Sequence, residues 1–408
     1  PILLSYTSVS PKAAARTLKA TGEDHPLPRW LGRFTTAPWA IGVIVVSIGL
    51  AVMAIVVGED LKIGDLDPGA PELRPDSVYN RDNAYITDHY QLSSDQFAVI
   101  VTTPDQGLVN YETMLEMDRL EETLRDVPGV QTTVSAASLA RTYTAAGFEG
   151  SPKWITLNRD GFVISDALNY VFDGNPEMFN DARSVAPIIA FLSDHKAETL
   201  DRVVKTVEAF AAEHDTGERK FLLAAGTSGI EAATNIAVAK ANRTMLFYVY
   251  AAVIVLCFIT FRSWRAVIVA VVPLVVTSLL CEALMVKLGI GVKVATLPVT
   301  ALGVGIGVDY ALYLLTVHLA EQRKGLSITD AYREALVFTG KVVALIGITL
   351  AAAVITWAWS PIKFQADMGL LLAFMFLWNM LGALIMVPSL ACFLLKPRKK
   401  PVSSHRMR

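Results

Sequence analysis

The residues best placed to do chemistry are Asp309 and Tyr310, which close the stretch Gly303-Val304-Gly305-Ile306-Gly307-Val308-Asp309-Tyr310 inside a long apolar run. A carboxylate at the centre of a membrane helix costs roughly 2.5–3.5 kcal/mol on insertion scales, so such residues face a protein interior or a wet cavity and mark a proton or ion pathway. Such a carboxyl takes up or releases a proton as its access to water or to a partner changes. Tyr310 adds a hydroxyl that can donate to a carboxylate across an interface. Adjacent helical residues point about 100° apart, so the pair is expected to reach another helix rather than each other.

The elements around this pair follow from spacing. Gly303 and Gly307 are four apart, as in small-xxx-small contacts that let membrane helices approach closely, and Gly305 is read with them as packing. No Lys-Ser/Thr follows these glycines and they lie within a span, so a phosphate loop is excluded. On the Asp309 side of the helix, Gly305, Tyr313 and Thr316 make a small and polar stripe. Other polar residues in apolar runs are Glu282, Thr349, Thr356 and Asn379. They are read first as interfacial or interhelical hydrogen-bonding groups, with a hydrated path as the functional alternative. Lys341, at the start of its span, is expected to snorkel. Histidines are few and none has metal-ligand spacing, so no metal is expected.

Composition sets the broad class. The chain has 408 residues, 53% hydrophobic and 18% charged, with positive mean hydropathy, the profile of a membrane protein with a substantial polar part. A net charge of −2, without a basic patch interleaved with aromatics, gives no support for nucleic acid as a partner. Cys257, Cys281 and Cys392 all fall in apolar segments and are read as small packing residues. No nucleophile–base pair suggests an enzyme.

Spanning-length apolar runs occur near 38–57, 245–261, 266–286, 294–319, 338–359 and 367–395. The expected class is therefore an α-helical membrane protein with six transmembrane helices, one before and five after a polar stretch at 58–243. Lys12, Arg16, Lys19, Arg29, Arg33, Arg262, Arg265, Arg323, Lys324, Arg333, Lys396, Arg398, Lys399 and Lys400 share one side, against Lys287, Lys293 and Lys363 on the other. Both termini are thus expected in the cytoplasm, and the large polar region outside it. Within that region Gln96–Thr102, Val130–Val134, Val185–Leu192 and Phe221–Ala225 read as strands, with Tyr111–Val127 and Glu198–His214 as helices. The expectation is two β-α-β units forming a ferredoxin-like α+β core. The insert at about 135–183 shows no clear period. The segment 325–336 reads as an amphipathic helix lying on the inner membrane surface, with Ile328, Ala331, Ala335 and Leu336 as its apolar side.

Pro1-Ile2-Leu3-Leu4-Ser5-Tyr6 is similar to the end of the last span, Pro388-Ser389-Leu390-Ala391-Cys392-Phe393, which suggests an internal repeat with a further half upstream. Taken in order, Gly305-Ile306-Gly307-Val308-Asp309-Tyr310, Ala331-Tyr332-Arg333-Glu334-Ala335-Leu336, Thr339-Gly340-Lys341, Ile348-Thr349-Leu350, Ser360-Pro361, Asp367-Met368-Gly369-Leu370-Leu371 and Val387-Pro388-Ser389-Leu390 resemble the resistance-nodulation-division superfamily, in its MMPL-type branch of lipid and hydrophobe exporters. The resemblance implies the C-terminal half of a tandem transporter: a linker at 1–36, a first span at 37–57, a periplasmic porter-like domain at 58–243, a five-helix bundle at 244–395 and a basic tail at 396–408. It implies a bacterial inner-membrane address and proton-driven export of lipids or other hydrophobic molecules. Asp309 and Tyr310 would then be the proton relay, opposed by an Asp-Tyr pair in the other half. Protons would be the coupling ion, with no cofactor. Partners would be the preceding half or a second copy, the hydrophobic substrate, membrane lipids and periplasmic proteins. Two other readings stay open: a sterol- or lipid-sensing receptor, and an accessory motor of protein export.

Overall fold

The computed structural model describes residues 26–90 and 93–395; most of the basic linker, the whole basic tail and the segment Pro1–Tyr6 lie outside the described residues. Helix α1 (Ala37–Gly58) carries Pro38 in its first turn, where a missing N–H costs nothing, and is apolar on every side. Its side chains are mostly exposed, as a lipid-facing helix requires. After a polar connection comes α2 (Val78–His89), whose Ser77 side chain accepts from the Asn80 N–H.

The αβ region then runs β1 (Gln96–Thr102), α3 (Tyr111–Arg125), β2 (Val130–Ser135), α4 (Ala136–Gly147), α5 (Gly161–Gly174), β3 (Val185–Leu192), α6 (Ala197–His214) and β4 (Lys220–Ala225). The strands form a small sheet in the order β2-β3-β1-β4 with every neighbouring pair antiparallel. The period-2 pattern of the sequence decides which face is covered. Phe97, Val99 and Val101 of β1 and Ala186, Ile188, Ala190 and Leu192 of β3 are fully buried. Against them α3 sets Met114, Met117, Leu120 and Leu124, and α6 sets Leu200, Val203 and Val207, at the three-and-four spacing of amphipathic helices.

The aperiodic insert is helical. Helix α4 adds Ala136, Ala137 and Ala140 to the same core, and α5 adds Ile164, Leu168 and Val171. The apolar side of α4 is made of alanines, too small to stand out as a period. Its start is fixed by a capping box between Ser135 and Ser138. The buried Glu121 carboxylate accepts from both hydroxyls, at 2.8 and 3.1 Å.

The remaining helices are α7 (Gly226–Phe261), α8 (Trp264–Leu288), α9 (Leu297–Arg323), the short α10 (Ile328–Ala335), α11 (Lys341–Ile355, extended by a 3-10 turn to Trp359) and α12 (Lys363–Leu394, with a π turn at Gly382–Met386). Among the described residues six helices are long and apolar enough to cross a membrane: α1, α7, α8, α9, α11 with its 3-10 turn, and α12. The chain is a multi-pass membrane protein, mostly helical, with a small antiparallel sheet. Helices α8, α9 and α12 bury about half or more of their apolar windows and form the middle of the bundle, whereas α1, α7 and α11 lie at its rim.

Helix α7 has 36 residues, about 54 Å at 1.5 Å each, well beyond a hydrocarbon core of about 30 Å. Only its second half, 245–261, is continuously apolar. Residues 226–244 carry Glu231, Lys240 and Arg243, and this first half lies on the αβ side, where Ala232 joins the core of the sheet. One unbroken helix thus joins the αβ region to the bundle.

Helix α10 corrects an expectation. The amphipathic segment at 325–336 does not merely lie on a surface: Tyr332, outside the expected apolar side, is fully buried in the bundle, and its hydroxyl donates to the Leu384 carbonyl at 2.6 Å. Leu384 belongs to the π turn of α12, so a buried hydroxyl meets a carbonyl where the helix is irregular. Both polar groups are thereby satisfied.

Candidate functional site

Helix α9 has two unlike sides. Its buried side carries Gly303, Val304, Gly307, Tyr310, Leu314 and His318, packed against α8, α10 and α12. A Cβ at Gly303 would overlap Met375, and one at Gly307 would overlap both Asn379 and Leu274. A side chain at either position would therefore meet α12. Asn379, buried at this contact, donates from Nδ2 to the Gly303 carbonyl at 2.8 Å, so it links α12 to α9.

The other side is uncovered. Leu302, Gly305, Asp309, Tyr313 and Thr316, spaced three or four apart, are all exposed. Asp309 stands about 18 Å along a helix about 40 Å long, which is mid-height in the span. It makes no hydrogen bond or ion pair with the described residues. Gly305 has open space where a Cβ would sit, which corrects its reading as a packing glycine within this bundle. Helices α7 and α11, which also touch α9, expose apolar residues such as Tyr248, Leu256, Val342 and Leu345. Asp309 is thus a mid-height acid on a stripe of small and polar residues with apolar flanks.

Tyr310 does not share that stripe. It is 1% exposed and points into its own bundle, with its hydroxyl unpartnered among the described residues. The 100° step between neighbours separates the two side chains as expected, but it is the tyrosine that turns inward. An across-interface role for its hydroxyl is therefore not what this arrangement offers.

The remaining polar residues do not converge on one path. Thr349 and Thr356 are exposed on the α11 segment and return their hydroxyls to their own helix, at the Leu345 and Ala353 carbonyls, 2.7 and 2.6 Å. Asn379 is committed to Gly303. Glu282 is half-buried near the end of α8, without a hydrogen-bond or ion-pair partner among the described residues. Tyr313 and Thr316 alone join Asp309 on the stripe. Cys257 and Cys281 are buried, and Cys392 is half-buried, all as free thiols. Among the described residues no His/Cys/Asp/Glu group has the arrangement of a metal site.

Two features escaped the sequence. One is His318, buried on α9 with both ring nitrogens unpartnered among the described residues and its ring edge-on to Tyr332. The other is a polar cluster where the αβ region meets the bundle, formed by Asp65, Asp95, His195, Glu231 and Lys293. Its members come from separate segments, so no spacing announces them.

The comparisons with known proteins agree with the resemblance stated from the motifs. A putative membrane protein of Methanocaldococcus jannaschii is 26% identical over 138 residues, 34% of this chain and 36% of that protein. A putative membrane protein of Streptomyces coelicolor is 33% identical over 91 residues, 22% of this chain and 13% of that protein. The chain thus spans well under two thirds of the length of these curated relatives. The model of the MMPL family matches residues 78–407, from α2 through every later element. On that match the chain belongs to the MMPL family.

Proposed function

We propose that this protein is a proton-driven exporter of lipids or other hydrophobic molecules, in which Asp309 is the proton-carrying group. One observation carries the reading: a carboxylate at mid-height on α9, exposed on a stripe with Gly305, Tyr313 and Thr316. An acid facing hydrocarbon costs several kcal/mol, so the stripe is where a second membrane body seats, supplied by another part of the same polypeptide or by a second copy. Gly305 and Thr316 let that body approach closely. Protonation of Asp309 removes a charge from the contact and favours one packing; deprotonation favours another. One elementary charge moved across 100 mV is worth roughly 2.3 kcal/mol, enough to bias a two-state contact more than tenfold.

The αβ region is the element such a bias would move. Its β-α-β order, repeated and joined in the sheet as β2-β3-β1-β4, supports a ferredoxin-like porter-type domain. Helix α7 is the rigid connection, since it starts at the edge of the sheet and ends across the bundle. Arg262, Arg265, Arg323, Lys324 and Arg333 at one end of the bundle support a cytoplasmic face there. The sheet would then be periplasmic, and the membrane the inner membrane of a bacterium. Family membership supports transport rather than catalysis.

Export of a fluorescent hydrophobic probe by the full-length native protein in proteoliposomes, with an imposed pH gradient, tests the reading. Asp309→Asn is expected to retain folding, judged by elution profile and melting, and to lose gradient-driven export. Undiminished gradient-driven export by this variant refutes the assignment. A lipid sensor would instead bind its lipid equally with the gradient collapsed and would tolerate the substitution.

A further inference from the structure

A cavity of about 720 Å³ lies where the αβ region meets the membrane helices, and its titratable lining is Asp65, Glu72, Asp95, His195, Glu231 and Lys293. Asp65 and Glu72 come from the connection after α1, Asp95 from the start of β1 and His195 from the end of β3. Glu231 stands in the second turn of α7, on the part outside the apolar run, and Lys293 lies in the turn that leads into α9. The ion pairs are Lys293 Nζ to Asp65 Oδ1 at 2.8 Å and His195 Nδ1 to Asp95 Oδ2 at 3.1 Å. That leaves the Glu231 carboxyl, on the same cavity lining as Asp65, without an ion pair of its own among the described residues, and Gly64 beside Asp65 packs against Asn235, one turn along α7 from Glu231. Glu72, the other carboxylate of the lining, adds negative charge and no cation.

A second observation points the same way. His195 is 6% exposed, lines the cavity and has Nε2 without a partner among the described residues; the hydroxyl of the buried Ser228 is likewise unpartnered. A buried imidazole fixed at Nδ1 and open at Nε2 is a group able to carry a proton between a carboxylate and the cavity.

We propose that this seam is a second proton-binding site, in which the Glu231–Asp65 carboxyl pair, with His195 and Lys293 beside it, holds a proton that keeps the αβ region seated on the bundle. Loss of that proton leaves two carboxylates on one cavity lining, with the lysine already paired to Asp65. Separation of the Asp65 segment from α7 relieves the repulsion, so deprotonation loosens the seam. Lys293, in the turn before α9, is pulled with Asp65. Burial first, and then the Asp65 and Asp95 charges, push the Glu231 carboxyl up to about 7 against the opposing pull of His195. Burial lowers the His195 imidazole, but the Asp95 hydrogen bond and the Glu231, Asp95 and Asp65 charges outweigh it and raise it. Both groups bind protons more tightly when the seam is closed, so low pH favours closure.

The inference does not depend on Asp309. Its test is hydrogen exchange in the full-length native protein at the amide that bridges the αβ region and the Asp65 segment, Ala197 N–H to the Asp65 carbonyl at 2.9 Å. Corrected for intrinsic rates, its protection is expected to fall about tenfold or more as pH rises from about 5.5 to about 8.5. Glu231→Gln, a neutral mimic of the protonated acid, should keep protection across that range. His195→Gln removes the positive neighbour of Glu231 and should move the midpoint to higher pH. Asp309→Asn should leave the profile as in the native protein even where export is lost, which separates the two sites. Protection independent of pH, a Glu231→Gln profile equal to the native one, or an unmoved midpoint in His195→Gln overturns the proposal.

Discussion

The Asp309 stripe and the Glu231 seam are both acidic sites at contacts of α9, yet they are built in opposite ways. The stripe is a single helix face, Leu302, Gly305, Asp309, Tyr313 and Thr316, exposed among the described residues. The seam is a meeting of separate segments in which Asp65 and Asp95 each already have a cation. An acid without a partner inside a membrane protein is a place where a partner acts; an acid crowded by partners is a place where a proton decides a fit. The two sites therefore make opposite predictions about stability and transport.

The largest expected effect is at the stripe. Asp309→Asn should cut gradient-driven export by about two orders of magnitude or more, while leaving the melting temperature near that of the native protein, because the side chain is exposed and makes no hydrogen bond or ion pair with the described residues. Both readouts come from one purified preparation. A large loss of stability would mean that Asp309 is a packing residue, and the contrast with the seam would collapse.

Next comes the division of the α9 glycines. Gly307→Ala drives a methyl into Asn379 and Leu274, and overpacking of this kind costs about 1–3 kcal/mol. Gly305→Ala meets open space and, by helix propensity, should raise the stability of the bundle by up to about 1 kcal/mol, yet should weaken export by holding the second membrane body away. Denaturant or thermal unfolding in detergent, paired with the export assay, separates the two. Equal destabilisation by both substitutions would mean that the uncovered side of α9 is not uncovered.

The seam should show itself as a pH dependence of stability. Glu231 has its carboxyl raised in the folded protein, so its contribution is fully present below its ordinary unfolded value near 4.5 and is lost as pH rises through about 7. His195, raised likewise, contributes in the same direction. Melting temperature should therefore fall over that interval, and Glu231→Gln should flatten the fall. Asn379→Ala, which removes one hydrogen bond to the Gly303 carbonyl, should cost about 1 kcal/mol in unfolding at any pH.

What could be read from the sequence divides along the same line as the two sites. Asp309, Gly305, Tyr313 and Thr316 were legible because a helix face is a local pattern, and one acid in an apolar run stands out. The strands were legible for the same reason, through alternation at Phe97, Val99 and Val101. Asp65, Asp95, His195, Glu231 and Lys293 were not, since each sits in an ordinary polar stretch and only the fold brings them together. Tyr332 was missed because a tyrosine beside Arg333 and Glu334 looks like a polar-side residue until its hydroxyl finds Leu384. The inward turn of Tyr310 was missed because the sequence gives the angle between neighbours, not which of them faces the core.

The most direct test of the account is simultaneous measurement of proton flux and probe export in proteoliposomes holding the full-length native protein, with and without Asp309→Asn. The account predicts coupled fluxes in the native protein and the loss of both in the variant, with its fold and its seam pH profile intact. Coupled proton flux and export that persist in Asp309→Asn would contradict it.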